Sequence, residues 1–188
     1  MSSALVVVDM QVVFARPGSP WAAPGFASAA AGLRRLLPAF AGRTVWTRYV
    51  APHEPEGAWR EYFDLWPFAL VPPDDPLYDV ADGLDPAGAP VVTATTFGKW
   101  GPELDAATGH ADELVVAGVS TDCCVLSTVL PAADAGRRVR VAADACAGAS
   151  DADHARALDA MRLYAPLVDV TTVDEVLGEV QGEVRGTA

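Results

Sequence analysis

Residues 113–126 read Glu113-Leu-Val-Val-Ala-Gly-Val-Ser120-Thr121-Asp122-Cys123-Cys124-Val125-Leu126, an apolar run followed by a turn and a helical pattern. The run is almost continuously apolar, which is typical of a strand that is covered on both faces. Ser120 and Thr121 are residue types that cap helices, so either one places both cysteines in the first helical turn. The segment therefore predicts a strand, a tight turn and a helix, which is the repeating unit of α/β proteins.

The same alternation extends along the chain. Five further short apolar runs predict strands: Ala4–Val8, Thr44–Thr47, Pro90–Ala94, Arg138–Ala142 and Leu167–Thr171. Helical patterns lie between the runs: Phe26–Phe40, Pro102–Thr108, Thr121–Ala135, Ala152–Tyr164 and Val173–Val180. Because alternating strands and helices form right-handed βαβ crossovers, we predict a three-layer α/β/α sandwich around a mostly parallel six-stranded sheet, in a single domain of residues 1–188.

The segment from Ala51 to Ala89 departs from this alternation. It is rich in proline, tryptophan and aspartate, and it shows little periodicity. Connections of this length in compact domains are often lids or binding loops. We therefore expect substrate selection to depend on this aromatic loop.

Composition and charge argue against several classes of protein. The 188 residues contain 25 Asp and Glu against 13 Lys and Arg, with no basic stripe, which argues against nucleic-acid binding. No run of about 20 apolar residues is present to span a membrane, and the run from Ala4 to Val8 is too short for a signal sequence. Three cysteines without CxxC spacing favour neither a disulfide scaffold nor a cysteine zinc site. We expect a cytoplasmic protein that acts on a small molecule.

Three chemically reactive groups follow the ends of predicted strands. Asp9 ends the first apolar run, the adjacent cysteines Cys123 and Cys124 follow the fourth, and Lys99 follows the third. Lys99 is also the single lysine among 13 lysine and arginine residues, so an ammonium stands where the chain otherwise uses guanidinium. In open α/β sheets the ligand crevice lies beyond the carboxyl ends of the strands. We therefore predict that these groups form one site.

The residue types suggest nucleophilic chemistry at that site. Free N–H groups in a first helical turn stabilise a thiolate and can receive an oxyanion during acyl transfer. Asp9 is suited to accept the thiol proton, and Lys99 to lower the thiol pKa and hold the carboxylate. Cysteine more often packs as a small apolar residue. We expect that role for one of the two adjacent cysteines and for Cys146.

Histidine is the usual partner of a nucleophilic cysteine, but the three histidines are poorly placed. His110 lies beside a predicted turn and His154 early in a helix behind acidic residues, so both are expected to be solvated. His53 lies in the aromatic loop, and nothing in the sequence places it next to a thiol. A carboxylate base is therefore the better interpretation.

Three motifs together resemble the isochorismatase-like cysteine hydrolase superfamily, which includes nicotinamidases and N-carbamoylsarcosine amidases. They are Val6-Val7-Val8-Asp9-Met10-Gln11-x-x-Phe14, Lys99 after Thr96-Phe97-Gly98, and Gly118-Val-Ser-Thr-Asp-x-Cys124-Val. The resemblance implies a Rossmann-like α/β fold. It also implies oligomers, as a homodimer or homotetramer.

The resemblance assigns roles to residues of this chain. It implies that Cys124, two residues after the Thr-Asp pair, is the nucleophile rather than Cys123. It implies that Asp9 is the base and Lys99 its electrostatic partner. It further implies a cis peptide bond between Val119 and Ser120, and an oxyanion hole made by the backbone N–H groups of Ser120 and Cys124.

The chain departs from the superfamily at the metal site of nicotinamidases. Those enzymes carry an Asp-x-His motif after the second strand, whereas this chain reads Thr47-Arg48-Tyr49-Val50-Ala51-Pro52-His53. His53 with Glu54 and Glu56 is not a convincing set of metal ligands. We therefore expect no catalytic metal and no other cofactor, and nicotinamide becomes a poor substrate prediction.

Aromatic residues are the candidates for contact with substrate. Phe14 matches a pocket position of the superfamily, and three tryptophans are further candidates: Trp59, Trp66 and Trp100. Core or interface packing is an equally good interpretation of each tryptophan. Arg48 and Arg60 are candidates for binding a substrate carboxylate.

The sequence thus favours a cysteine amidohydrolase that cleaves a non-peptide C–N bond of a small amide, carbamoyl or ureido compound through a thioester. Two alternatives remain. One is an isochorismatase-type vinyl-ether hydrolase that uses Asp9 and Lys99 without covalent catalysis. The other is a non-catalytic binding or scaffold relative.

Overall fold

The computed structural model describes residues 2–186, in which six strands form one all-parallel sheet. The strands are β1 (Ser3–Val8), β2 (Thr44–Tyr49), β3 (Val91–Ala94), β4 (Glu113–Val119), β5 (Arg138–Ala147) and β6 (Val168–Thr171). Their order in the sheet is β3-β2-β1-β4-β5-β6. The chain moves outward in one direction from β1 and in the other from β4, so the topological switch point lies between these two strands. All six predicted strands are confirmed.

Helices cover both faces of the sheet, which confirms the three-layer sandwich. They are α1 (Val12–Ala15), α2 (Phe26–Leu36), α3 (Trp59–Leu65), α4 (Pro102–Ala107), α5 (Leu126–Asp134), α6 (Asp151–Arg162) and α7 (Val173–Gly186). Buried residues of α1, α2, α3 and α7 belong to the core on one face. Those of α4, α5 and α6 belong to the core on the other. Among the described residues, no helix combines the length and the apolar character that crossing a bilayer requires.

The continuous apolar character of β1 follows from this double cover. Leu5 and Val7 pack into the core beneath α2, whereas Val6 and Val8 pack into the core beneath α5. Because successive side chains of a strand point to opposite faces, a strand between two helical layers needs apolar residues at every position.

The segment from Ala51 to Ala89 is more ordered than its sequence pattern indicates. It contains α3 and two 3₁₀ turns, Pro67–Ala69 and Pro76–Tyr78. Phe63 and Tyr78 are fully buried in the core that lies between the sheet and helices α1, α2, α3 and α7. Distant tertiary contacts hold this segment in place, which explains why local periodicity did not reveal it.

The connection after β4 also differs in detail from the prediction. Residues Thr121–Val125 form a π-helical turn that continues into α5, so Cys124 does not lie in the first turn of an α-helix. The peptide bond between Val119 and Ser120 is cis, as the resemblance implies. Strand β5 extends to Ala147, so Cys146 lies within a strand and not after it.

Gly118 allows β4 to approach the end of β1. Its φ is 127°, and a Cβ placed there would lie 2.1 Å from the backbone oxygen of Val8. Gly118 pairs with Val8, the residue before Asp9, and the β4–β5 register shifts at this point. Only a residue without a side chain fits this approach.

Candidate active site

Asp9 lies at the carboxyl end of β1, fully buried at the switch point of the sheet. Its φ of 48° turns the chain away from the strand. Thr47, the fourth residue of β2, holds it in place: the Asp9 N–H donates to the Thr47 hydroxyl at 3.2 Å, and that hydroxyl donates to Asp9 Oδ1 at 2.6 Å. The other carboxylate oxygen faces Lys99.

Lys99 and Asp9 form an ion pair with both side chains completely buried. Lys99 Nζ lies 2.8 Å from Asp9 Oδ2. The ammonium also donates to the carbonyl oxygens of Thr96 and Phe97, at 2.7 and 2.8 Å. It lies 5.5 Å from the ring centroid of Tyr49, close enough for a cation–π interaction. A buried ammonium needs such a set of acceptors because it has lost its water.

Cys124 is joined to Lys99 through one threonine. The Thr128 hydroxyl donates to the carbonyl oxygen of Cys124 at 2.7 Å and accepts the backbone N–H of Lys99 at 3.0 Å. A Cβ at Gly98 would lie 2.5 Å from the carbonyl oxygen of Ser127. The backbone next to Lys99 therefore packs closely against the start of α5. The three predicted groups are therefore brought together, from the ends of β1, β3 and β4.

The pKa of the Cys124 thiol is raised well above its ordinary value. Burial is the largest cause and the negative charge of Asp9 adds to it, whereas Lys99 acts in the opposite direction. Lys99 therefore lowers the thiol pKa, as the sequence predicts, but burial and the charge of Asp9 outweigh it.

Burial also raises the pKa of the other two cysteines. Burial raises the pKa of Cys123 to about 11, with a further contribution from the charge of Asp122. Burial raises the pKa of Cys146 to about 12, and this residue lies in the core beneath α5 and α6. Cys146 thus has the structural position that the sequence favours. Cys123 is half-buried and shares the pocket described next.

A pocket of about 330 Å³ opens above Cys124. Its lining consists of Phe14, Pro20, Trp21, Ala22, Tyr49, Tyr62, Trp66, Phe97, Ser120, Asp122, Cys123, Cys124 and Ala149. The predicted residues Phe14, Trp66 and Ser120 are among them. A larger open depression of about 1090 Å³ lies along α1 and α2. It is lined by none of the three reactive groups, so the smaller pocket is the relevant one.

Two of the predicted substrate contacts, Trp59 and Trp100, do not line this pocket. Trp59 lies behind the wall, where its ring packs 5.2 Å from that of Phe97. Trp100 lies 6.0 Å from the Arg137 guanidinium. Both tryptophans have the packing role that the sequence allowed, since Trp59 begins α3 and packs on Phe97, and Trp100 packs near Arg137.

The two arginine candidates are engaged elsewhere. Arg48 donates to the carbonyl oxygen of Pro73, and Arg60 donates to that of Pro55 at 3.1 Å. Neither lines the pocket. Their positions give no support to recognition of a substrate carboxylate there.

The sequence did not single out several residues of the site. Trp21, Tyr49, Tyr62 and Phe97 line the pocket. Gln11 fixes the end of β2, because its side chain accepts the Tyr49 N–H and donates to the Tyr49 carbonyl oxygen, at 2.8 and 2.9 Å. The sequence offered two weak indications of these residues: Tyr49 ends an apolar strand, and Gln11 lies two residues after Asp9.

The histidines have varied surroundings. The side chain of His53 is almost fully exposed, and His110 is exposed and pairs with Asp105 at 2.8 Å. His154 is half-buried and contacts the Thr121 hydroxyl at 2.8 Å, so its predicted solvated position is wrong. Burial lowers the pKa of His154. Within residues 2–186, no group of three or more His, Cys, Asp or Glu side chains is arranged to hold a metal ion.

Comparison with known proteins agrees with this architecture. The structure superposes with a TM-score of 0.83 on a cysteine hydrolase from Pseudomonas syringae pv. phaseolicola, at 22% identity over 96% of this chain and 93% of the other. It superposes with a TM-score of 0.73 on N-carbamoylsarcosine amidase from Thermoplasma acidophilum, at 22% identity over 93% and 98% of the two chains. At these identities the likeness shows a shared fold.

Sequence comparison goes further. Isochorismatase domain-containing protein 2 of Xenopus laevis is 33% identical over 96 residues, which cover 50% of this chain and 46% of that protein. The match thus spans about half the length of this curated relative. The isochorismatase domain family matches residues 3–175, a range that includes all six strands and the pocket. The chain therefore belongs to the isochorismatase-like hydrolase family.

Proposed function

We propose that this protein is a cysteine hydrolase that cleaves a non-peptide C–N bond of a small amide, carbamoyl or ureido compound. The observation that carries the proposal is the fully buried Asp9–Lys99 ion pair next to Cys124, which itself lines the pocket of about 330 Å³. Perturbed ionisable groups that converge in a pocket are typical of catalytic sites. The structural likeness to a cysteine hydrolase and to an N-carbamoylsarcosine amidase supports this reaction class.

In the proposed first step, Cys124 Sγ attacks the carbonyl carbon as its proton moves to Asp9. The raised pKa of the thiol means that this proton must be removed during attack. Asp9 Oδ1 already accepts the Thr47 hydroxyl. Oδ2 has no aligned hydrogen-bond donor among the described residues, although Lys99 Nζ lies 2.8 Å away. We assign Oδ2 as the proton acceptor, with the Lys99 ammonium beside it as the counter-charge.

The remaining proposed steps release the leaving group, hydrolyse the thioester and regenerate the thiol. The carbonyl oxygen becomes an oxyanion, which the backbone N–H groups of Ser120 and Cys124 are proposed to stabilise. Asp9 returns its proton to the leaving nitrogen, the C–N bond breaks, and ammonia or an amine departs. Water then attacks the thioester and gives one proton to Asp9. The acid leaves, and the proton on Asp9 returns to the sulfur.

Two alanine variants test this assignment, because adjacent cysteines line the same pocket. We expect Cys124→Ala to abolish ammonia release from a panel of amides, ureas and carbamoyl compounds, and Cys123→Ala to retain most of the activity. Mass spectrometry of the wild type during turnover should show an acyl group on Cys124 that is absent from Cys124→Ala.

Other results would contradict the proposal in distinct ways. Loss of activity in Cys123→Ala alone would make Cys123 the nucleophile. Full activity in both variants, with loss in Asp9→Asn, would indicate the non-covalent hydrolase. No turnover of any compound would favour a binding relative.

A further inference from the structure

The π-helical turn that carries Cys124 is held against the start of α6 by hydrogen bonds of two side chains. The hydroxyl of Thr121, the first residue of the turn, lies 2.8 Å from His154 Nδ1. Asp122 Oδ1 accepts the Ala149 N–H, in the connection before α6, at 2.9 Å. The two partners lie 33 and 27 positions further along the chain. Consecutive residues of the turn are thus anchored to the same distant segment.

Gly148 brings the turn and the start of α6 into close contact. A Cβ at Gly148 would lie 2.7 Å from Asp122 Oδ1 and 2.8 Å from the backbone nitrogen of His154. A side chain at this position would separate the two segments, because the His154 backbone cannot rotate away. The two hydrogen bonds therefore connect segments that are already closely packed, and they leave the turn little freedom to shift.

The surroundings of Thr121 decide which proton its hydrogen bond uses. Thr121 is fully buried, and among the described residues its hydroxyl bonds to His154 alone. If Nδ1 carried a proton, the ring would donate, and the hydroxyl proton would be buried without an acceptor, which is costly. The hydroxyl therefore donates to an unprotonated Nδ1, and Nε2 carries the ring proton. Burial lowers the pKa of His154, which favours this neutral form.

The anchored turn lies between the two proposed oxyanion donors. Ser120 comes directly before the turn, and Cys124 is the fourth residue of the turn. The Thr121 side chain is therefore fixed to α6 at a point between the two backbone N–H groups. An oxyanion hole works only if its donors are preorganised, and a misplacement of about 1 Å can lower a reaction rate about 100-fold. The anchor of the turn is thus placed to control the geometry of the hole.

We propose that His154 is a positioning residue of the proposed oxyanion hole, and that it acts through the Thr121 hydroxyl. This inference rests on the proposed function, and it adds a residue that does not line the pocket. His154 holds the turn so that the N–H groups of Ser120 and Cys124 converge on the oxyanion. Its effect is therefore on reactions that form an oxyanion, and not on the reactivity of the thiol itself.

The test compares two reactions of the Cys124 thiol in a Cys123→Ala parent protein, which keeps one thiol in the pocket. In acylation by p-nitrophenyl acetate, the sulfur loses its proton and bonds to the carbonyl carbon, an oxyanion forms, and p-nitrophenolate leaves. In alkylation by iodoacetamide, the sulfur displaces iodide from a saturated carbon, and no oxyanion forms. The ratio of the two rates therefore reports on the oxyanion hole separately from the thiol. Peptide mapping by mass spectrometry assigns each adduct to Cys124.

Matched variants of the parent protein assign the effect to the hydrogen bond. We expect Thr121→Val and His154→Leu each to lower the acylation rate about tenfold, the value of one neutral hydrogen bond, without changing the alkylation rate. The double variant should lose no more than either single variant, because both remove the same interaction. Thr121→Ser keeps the hydroxyl and His154→Asn keeps an acceptor, so both should recover most of the rate. His110→Leu, at an exposed histidine, should match the parent protein.

The inference and the proposed function fail in different ways. An acylation-to-alkylation ratio that Thr121→Val and His154→Leu leave unchanged overturns the inference, whether both rates stay constant or both fall together. Additive losses in the double variant, or no acylation of Cys124 in the parent protein, also overturn it. Neither reagent depends on the natural substrate, so these rates decide the inference even if no amide is hydrolysed and the proposed function fails. An unchanged ratio beside normal ammonia release rejects the inference alone.

Discussion

Lys99 and Asp9 show why a single buried charge is sensitive to substitution. Their side chains are completely excluded from water, and each depends on the other for its counter-charge. Removing one partner of a buried pair leaves the other charge uncompensated, which costs more than the pair contributes. The single lysine of the sequence is thus a structural requirement of the site as well as a proposed part of its chemistry.

We predict that Lys99→Met abolishes activity and lowers the free energy of unfolding by about 3–5 kcal/mol. The double variant Asp9→Asn/Lys99→Met should recover part of that stability, because no charge remains buried, while activity stays absent. Urea unfolding and ammonia release measure the two effects. Arg162→Met is the matched control, since it breaks an exposed ion pair of 2.7 Å and should cost less than about 1 kcal/mol. Equal losses for the two methionine variants would contradict this account.

At the scale of elements, the β1–β4 pair positions the site. Gly118 of β4 lies opposite Val8 of β1, directly before Asp9. A Cβ at Gly118 would meet the oxygen, nitrogen and carbonyl carbon of Val8 at 2.1, 2.7 and 2.8 Å. Backbone atoms cannot rotate away as a side chain can, so any larger residue must separate the strands and displace Asp9.

We predict that Gly118→Ala lowers the free energy of unfolding by more than about 4 kcal/mol, the range of severe core defects. Gly136→Ala is the control, because Gly136 also has a positive φ, of 86°, but a Cβ there meets nothing within 4 Å. The control should cost about 1–2 kcal/mol, the backbone term alone. Denaturant unfolding of both variants checks the difference. Similar losses would mean that the contact with Val8 is unimportant.

At the scale of the whole molecule, burial of thiols makes stability depend on alkaline pH. The pKa of Cys146 rises from its ordinary value near 9 to about 12 on folding, and that of Cys124 is also raised. Between those values the unfolded chain has lost the proton and the folded chain keeps it. The unfolded state then binds fewer protons, so stability is full below about pH 9 and falls as pH rises.

We predict that Cys146 contributes a loss of about 1.4 kcal/mol per pH unit between about pH 9.5 and 11, and that Cys124 acts in the same direction. Urea unfolding at several pH values measures the slope. In Cys146→Ala the decrease of the free energy of unfolding with pH should be less steep by the contribution of this one thiol. The cavity left by the sulfur costs the same at every pH, and so does not affect the comparison. An unchanged slope in this variant would show that Cys146 does not ionise on unfolding.

The elements of the fold were largely predictable because local patterns report burial. Six apolar runs correspond to the six observed strands, since a strand between two helical layers must be apolar at every position. Helix α3 was missed, because Phe63 is buried by residues far away in the chain and its neighbours show no helical period. The sequence predicts that β5 ends at Ala142, whereas the strand runs to Ala147, because its pairing with β4 resumes after an irregularity.

The amino-acid sequence by itself determined the six strands and their alternation with helices, and the presence of an aspartate, a lysine and a cysteine after three strand ends. Only the tertiary structure decided how these groups act together. It buries the Asp9–Lys99 pair completely, raises the pKa of Cys124, and assembles Trp21, Tyr49 and other aromatic residues into one pocket wall. The physical reason is that a pattern reports the burial of each residue along its own segment. Desolvation and hydrogen bonding depend on which distant segments the crossovers bring together.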